Sequence, residues 1–277
     1  MATANKTAAK KTADDENAVV PAAENAIAPA ALFEDHAAEG FEQTTADDIV
    51  TPFIKLLQKM SDEVDEDHGS YIDGAKPGMF MDIATGELSQ ELEFIVCHYH
   101  RAIVEWRDRD SGGGFIAQHP IGYETELERE VADNGRWTGR WRTGVDTHAV
   151  DTRYFFGLRV RPDGSYVPGV LSFSSTQIKK ARSWVTRMRS LTGTNAAGVR
   201  FALPIFAGMW KITSVSEEND QGSWRGYKVE PDGLIEDPNL ASAAQAAREF
   251  FKSVAGTFQP VDERAATKDK DGEDLPF

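Results

Sequence analysis

Glu93-Phe94-Ile95-Val96-Cys97-His98-Tyr99-His100-Arg101-Ala102-Ile103-Val104-Glu105 is enriched in β-branched and aromatic residues, and Trp106 closes the run. Such residues fit a pleated, half-buried surface, so the stretch reads as a long strand. Downstream, Ser111-Gly112-Gly113-Gly114 is a flexible turn and Phe115-Ile116-Ala117 a short strand. Gly122 to Asn134 is a polar, acidic insertion with room for a helix. Further strands are expected at Asp151 to Arg161, Tyr166 to Phe173, Ala207 to Ser216 and Ser223 to Glu230, with Pro162-Asp163-Gly164 as a hairpin turn. Upstream, Gly74-Ala75-Lys76-Pro77-Gly78 and Thr85-Gly86 are turns around Met79 to Ile83, which suits a hairpin. Asp47 to Gln58 reads either as an acidic-capped helix or as a strand, and Pro52 favours an extended start.

Two helices accompany the strands. Near 175–191, Ser174-Ser175-Thr176-Gln177 supplies capping residue types, and Ile178, Ala181, Trp184, Val185 and Met188 fall on one helical face. Near 239–254, an Ala-rich segment with Phe250 and Phe251 suggests a helix packed on the core. The pattern is mainly β with flanking helices, β or α+β in class. Short strands, Gly-rich turns and a late helix suit an OB-fold-like barrel over 46–258, and a β-sandwich with a long insertion is the alternative.

Charge is distributed unevenly. The chain carries a net −15, but residues 1 to 93 hold 6 Lys/Arg against 20 Asp/Glu, and residues 229 to 277 hold 5 against 11. Residues 94 to 228 hold 19 against 14, a net of +5. A mildly basic core between acidic segments is compatible with a polyanionic partner despite the overall sign. The arm 1–45 and the tail 259–277 are too polar to offset their ordering entropy and are expected to be disordered. No run of eighteen apolar residues spans a membrane, and Asp14-Asp15-Glu16 stand where a signal peptide would place apolar residues. With the single cysteine, Cys97, this points to the cytoplasm, that of a host cell if the chain is phage-encoded.

Motifs for chemistry are sparse. Cys97, His98 and His100 form the only local group of metal-ligand types, with the histidines on one face of the strand and Cys97 on the other, and no second pair at zinc spacing. Ser111 to Gly114 lacks the Gly-Lys-Ser/Thr ending of a phosphate loop. No catalytic residue, metal or cofactor is expected. What stands out is arginine beside tryptophan. Trp106-Arg107-Asp108-Arg109, Arg136-Trp137-Thr138-Gly139-Arg140-Trp141-Arg142 and Trp224-Arg225 each place guanidinium groups next to an indole. Unpaired bases stack on such rings while arginines neutralise phosphates, so these residues are candidates for single-stranded DNA. Trp137 and Trp141 lead, because arginines packed so densely are awkward to bury, whereas Trp184 and Trp210 sit in apolar patterns and read as core. Lys179, Arg187 and Arg189 on the first helix are further electrostatic candidates.

The chain ends Glu273-Asp274-Leu275-Pro276-Phe277, an acidic run before an apolar tip. This terminus resembles the acidic tail of bacterial and phage single-stranded-DNA-binding proteins. The resemblance covers about the last seven residues closely, and the layout of basic β core and acidic tail more loosely. It implies a protein that protects single-stranded DNA in phage replication or recombination and recruits partner proteins through Glu273 to Phe277. The Thr51 to Gln58 segment and the Gly-rich Trp106 to Phe115 region also look like phage replication-module proteins. A homo-oligomer is compatible with all of this. The alternatives are a phage interaction or structural protein that binds no DNA, and a metal-dependent nuclease whose acidic ligands are not identifiable.

Overall fold

The run Glu93 to Glu105 lies at the centre of the fold. The computed structural model describes Gly40, residues 52–219 and residues 222–256. The run falls within β4 (Glu91–Arg107), a 17-residue strand paired antiparallel with β8 (Thr147–Val160). The other elements are β1 (Ile54–Leu56), β2 (Phe80–Asp82), β3 (Leu88–Ser89), β5 (Phe115–His119), β6 (Glu128–Val131), β7 (Trp137–Arg142) and β9 (Tyr166–Ser174), then α1 (Ile178–Arg189), β10 (Thr192–Thr194), β11 (Arg200–Ala202), β12 (Gly208–Asn219), β13 (Gly222–Leu234) and α2 (Pro238–Val254). The expected arm, Gly40 apart, and the expected tail lie outside the described residues.

Because β4 and β8 outrun every partner, different strands flank their two ends. At one end the order is β13-β12-β4-β8-β9, and at the other it is β5-β4-β8-β7-β6, all antiparallel. The ambiguous segment before Gln58 is extended as β1, which pairs with β2, and β2 with β3. The polar insertion corrects the expectation of a helix: it makes a short 3-10 turn, Tyr123–Glu126, and then β6.

A bulge between Val96 and His98 changes the alternation expected there. Cys97 and Phe156 share one buried layer, and the His98 ring packs against that same Phe156. The histidines and Cys97 therefore do not divide cleanly between the two faces. Across from the bulge, a Cβ on Gly157 would sit 2.0 Å from the Ile95 carbonyl oxygen. Its cross-strand partner Gly169 would place one 2.8 Å from Ile54 Cδ1. The two missing side chains leave a hollow that the Phe94 ring and Ile54 fill, which seats β1 on the sheet.

Each face of the first end carries a helix. On one face Ala181, Trp184 and Met188 of α1 pack against Phe94, Phe155, Phe173, Trp210 and Tyr227. On the other, Leu240, Ala244, Phe251 and Ala255, one stripe at i, i+4, i+11 and i+15, meet Ile95, Val104, Phe156 and Val170. Helix α2 starts where Asp237 accepts a hydrogen bond from the Asn239 N–H (2.8 Å) and Pro238 occupies the first turn. Phe251 is buried, whereas Phe250 is exposed. Helix α1 has no such cap: neither Ser174 nor Gln177 caps it by its side chain, contrary to expectation.

Among the described residues the strands do not close into a barrel. β9 touches the chain leading into β1 through one parallel bridge, Phe53 to Val170, and β13 ends the strand order. Side chains cover the β13 edge instead. Gln58 donates to the Arg225 carbonyl (3.0 Å) and accepts from its N–H (2.8 Å), Gln177 accepts from the Tyr227 N–H (3.1 Å), and Arg187 donates to the Val229 carbonyl (2.8 Å). An edge whose main-chain groups are satisfied this way is a poor template for another strand.

Candidate nucleic-acid interface

Asn134-Gly135 makes the turn that builds the first cluster. Gly135 takes the left-handed conformation (φ 75°), its N–H bonds the Ala132 carbonyl, and β6 and β7 run back to back from there. Trp137 projects from β7 with 47% of its surface exposed. The Arg129 guanidinium lies 5.1 Å from its ring centroid, a cation–π distance, and its Nε1 donates to the Arg140 carbonyl at 2.9 Å. Trp141 meets it edge-on, with ring centroids 5.2 Å apart. Trp141 itself is buried against Ile103, Ala149, Tyr123 and Leu127, so it anchors the hairpin and does not share its neighbour's open face. Arg136 and Arg142 are exposed, and Arg140 lies 3.9 Å from Glu130.

Strand β7 abuts the 3-10 turn Ser175–Gln177 that leads into α1, and a Cβ on Gly139 would come within 4.0 Å of the Ser175 backbone. Ser175 is the only non-glycine residue with positive φ (48°) among the described residues. The arginines of β7 thus continue toward the lysines of α1. Lys179 and Arg189 are exposed on the helix. Lys179 and Lys180 stand in a first turn that contains no acidic residue, an arrangement that opposes the helix dipole.

On the sheet side of α1, Glu217 is the hub. It receives Lys180 Nζ (2.5 Å), Gln177 Nε2 (3.0 Å) and Trp224 Nε1 (2.8 Å). Burial pushes its carboxyl up, but the three donors outweigh it and hold the group below the usual carboxylate range. Gly226 makes the arrangement possible, since a Cβ there would lie 2.3 Å from Glu217 Oε2. Trp224 and Arg225 are therefore half-buried parts of this hub and of the Gln58 contact.

The remaining candidates lie apart. Trp106 is half-buried on β4 with its ring edge-on to Phe115, Arg107 is exposed at the strand end, and Arg109 opens the 3-10 turn that follows. Burial lowers the pKa of both His98 and His100, and pushes the Cys97 thiol up to about 12. No group of three His, Cys, Asp or Glu residues that could hold a metal ion occurs among the described residues. No helix there is long and apolar enough to cross a membrane. The partner-binding candidates Glu273, Asp274, Leu275, Pro276 and Phe277 lie outside the described residues.

Two features escaped the sequence reading. Arg129 belongs with Trp137 because β6 and β7 form a hairpin, and Asn134-Gly135 was the signal for it. The β10–β11 hairpin, which exposes Arg200 and Phe201, has no comparable apolar alternation. The sequence model of the family described as Pam3 phage gp34-like protein matches residues 22–257, most of the chain. Neither the curated proteins nor the solved structures contain a match.

Proposed function

We propose that this chain, which belongs to the Pam3 phage gp34-like family, is a non-catalytic single-stranded-DNA-binding protein acting in phage replication or recombination. The observation that carries this reading is Trp137: a half-exposed indole under an arginine, on a hairpin that also presents Arg136, Arg140 and Arg142. A large aromatic ring left open beside cations suits an unpaired base, at about 1 to 3 kcal/mol per stacked base, with phosphates on the arginines. The path continues over the Ser175 turn to Lys179 and along α1 toward Arg189. In this reading the β13-β12-β4-β8-β9 sheet is an OB-like platform, and the terminus Glu273-Asp274-Leu275-Pro276-Phe277 recruits replication or recombination proteins.

Titration with oligo(dT) at two salt concentrations tests it. Binding should quench tryptophan fluorescence and weaken as salt rises, because stacking and counterion release act together. Affinity that is equal at both salts, or tighter for duplex than for single strands, would overturn the proposal.

A further inference from the structure

The sheet-facing side of α1 holds a second feature. Lys180, Ser183, Trp184 and Arg187 fall at i, i+3, i+4 and i+7, and with Lys228 and Glu217 of the β12–β13 hairpin they line a groove of 240 Å³. That is far more room than a water molecule needs. Lys180, Arg187 and Lys228 line it with Glu217, which Lys180, Gln177 and Trp224 already engage, while Lys228 also pairs with the exposed Glu230 at 2.8 Å. Arg187 uses one nitrogen on the Val229 carbonyl, so its planar fork is fixed in place beside the groove. The indole of Trp184 forms part of the wall, and its buried Nε1–H has no hydrogen-bond acceptor among the described residues. A buried donor left unpaired is costly and calls for an explanation.

We infer that this groove is an anion site that takes a phosphate group, held by Arg187 and Lys228 with the Ser183 hydroxyl as a further donor. Arginine supplies bidentate geometry for phosphate oxygens and lysine a point charge. The first turn of α1 carries lysines and no acidic residue, and Arg187 stands in its last turn, so the helix lines the groove with cations along its length. The phosphate could be a diester of bound single-stranded DNA, in which case the site extends the interface proposed above, or a free phosphate or nucleotide.

The experiment uses the full chain and three proteins: the parent, Ser183→Glu and Lys228→Ala. Ser183 is exposed on the helix, so Ser183→Glu places a negative charge in the groove without disturbing the core. Calorimetric titration with inorganic phosphate at fixed ionic strength should show saturable binding that Ser183→Glu weakens by roughly tenfold or more and Lys228→Ala by less. The salt dependence of oligo(dT) binding is measured in parallel. If the phosphate is a DNA diester, the logarithmic salt slope of Ser183→Glu falls by about 0.7. Loss of phosphate binding with an unchanged slope assigns the site to a free phosphate group. A fallen slope without measurable inorganic phosphate binding assigns it to the diester. A chain that fails to bind oligo(dT) at all removes the DNA reading, while the phosphate titration still decides the groove. Phosphate binding that Ser183→Glu leaves intact, or no effect of Ser183→Glu in either titration, overturns the inference.

Discussion

The two ends of the β4–β8 ribbon use the same two strands and differ in what covers them. At the β9, β12 and β13 end, α1 and α2 close both faces, and Trp184, Trp210, Phe94 and Phe155 are fully buried. At the β5, β6 and β7 end Val104, Trp106 and Phe115 still join the α2 cluster on one face, but the other face has only Ile103, Trp141 and Ala149 with Tyr123 and Leu127 beside them, and Trp137 and Val131 stand exposed. A long ribbon can therefore be anchored at one end and leave the other to present side chains. Aromatic residues occur at both ends, so their function follows from the covering layer and not from residue type.

The comparison breaks most visibly in stability. Trp210→Ala should cost about 3 to 5 kcal/mol, read as a lower urea midpoint, because it empties a site closed on all sides. Trp141→Ala should cost less, because its cluster is small and edged by half-buried residues. Equal losses for the two would show that the ends are equally supported. Trp137→Ala sharpens the comparison in the opposite sense. Its effect on stability should stay within about 0.5 to 1 kcal/mol, while oligo(dT) affinity falls by about 1 to 3 kcal/mol. A variant that binds normally would place the stacking ring elsewhere.

The smallest effect expected is a pH dependence confined to the anchored end. Hydrogen bonds from Arg161, at 2.7 Å, and from buried Arg159 hold the Glu87 carboxyl below its usual value against the opposing pull of burial. A depressed carboxylate pKa contributes stability that is present above the unfolded-state pKa, and this is lost as pH falls through the lower, folded value. Acid unfolding should therefore be shallower in Glu87→Gln below about pH 4.5, a figure near the ordinary glutamate value. Indistinguishable acid curves would remove Glu87 from the account.

Much of the anchored end was legible in the residues. The Glu93 run, the Pro162-Asp163-Gly164 turn and the apolar face of α1 all occur where local pattern predicts them: the turn closes with the Arg161 N–H on the Ser165 carbonyl at 2.8 Å, and Trp184 and Trp210 are core. At the other end local pattern misled. The density of arginine around Trp141 argued against burial, yet the exposed arginines flank an indole that points into a small core. Alternation along β7 puts Trp137 and Trp141, four residues apart, on the same face, and which of them is covered follows only from the pairing: Trp141 stands opposite Ala149 of β8, whereas Trp137 pairs with Val131 of β6 alone.

By itself the sequence determined the mainly β character, the places of both helices, the uneven charge and the acidic apolar terminus, because these depend on periodicity and composition within a short window. Tertiary structure alone decided which tryptophan stays open, that Gln58, Gln177 and Arg187 cover the β13 edge, that no barrel closes among the described residues, and that Lys180 and Lys228 meet across a groove. Gln58 and Arg225 are 167 residues apart. Contacts over such separations are set by strand register and by which layer covers each face, and neither leaves a mark in local sequence.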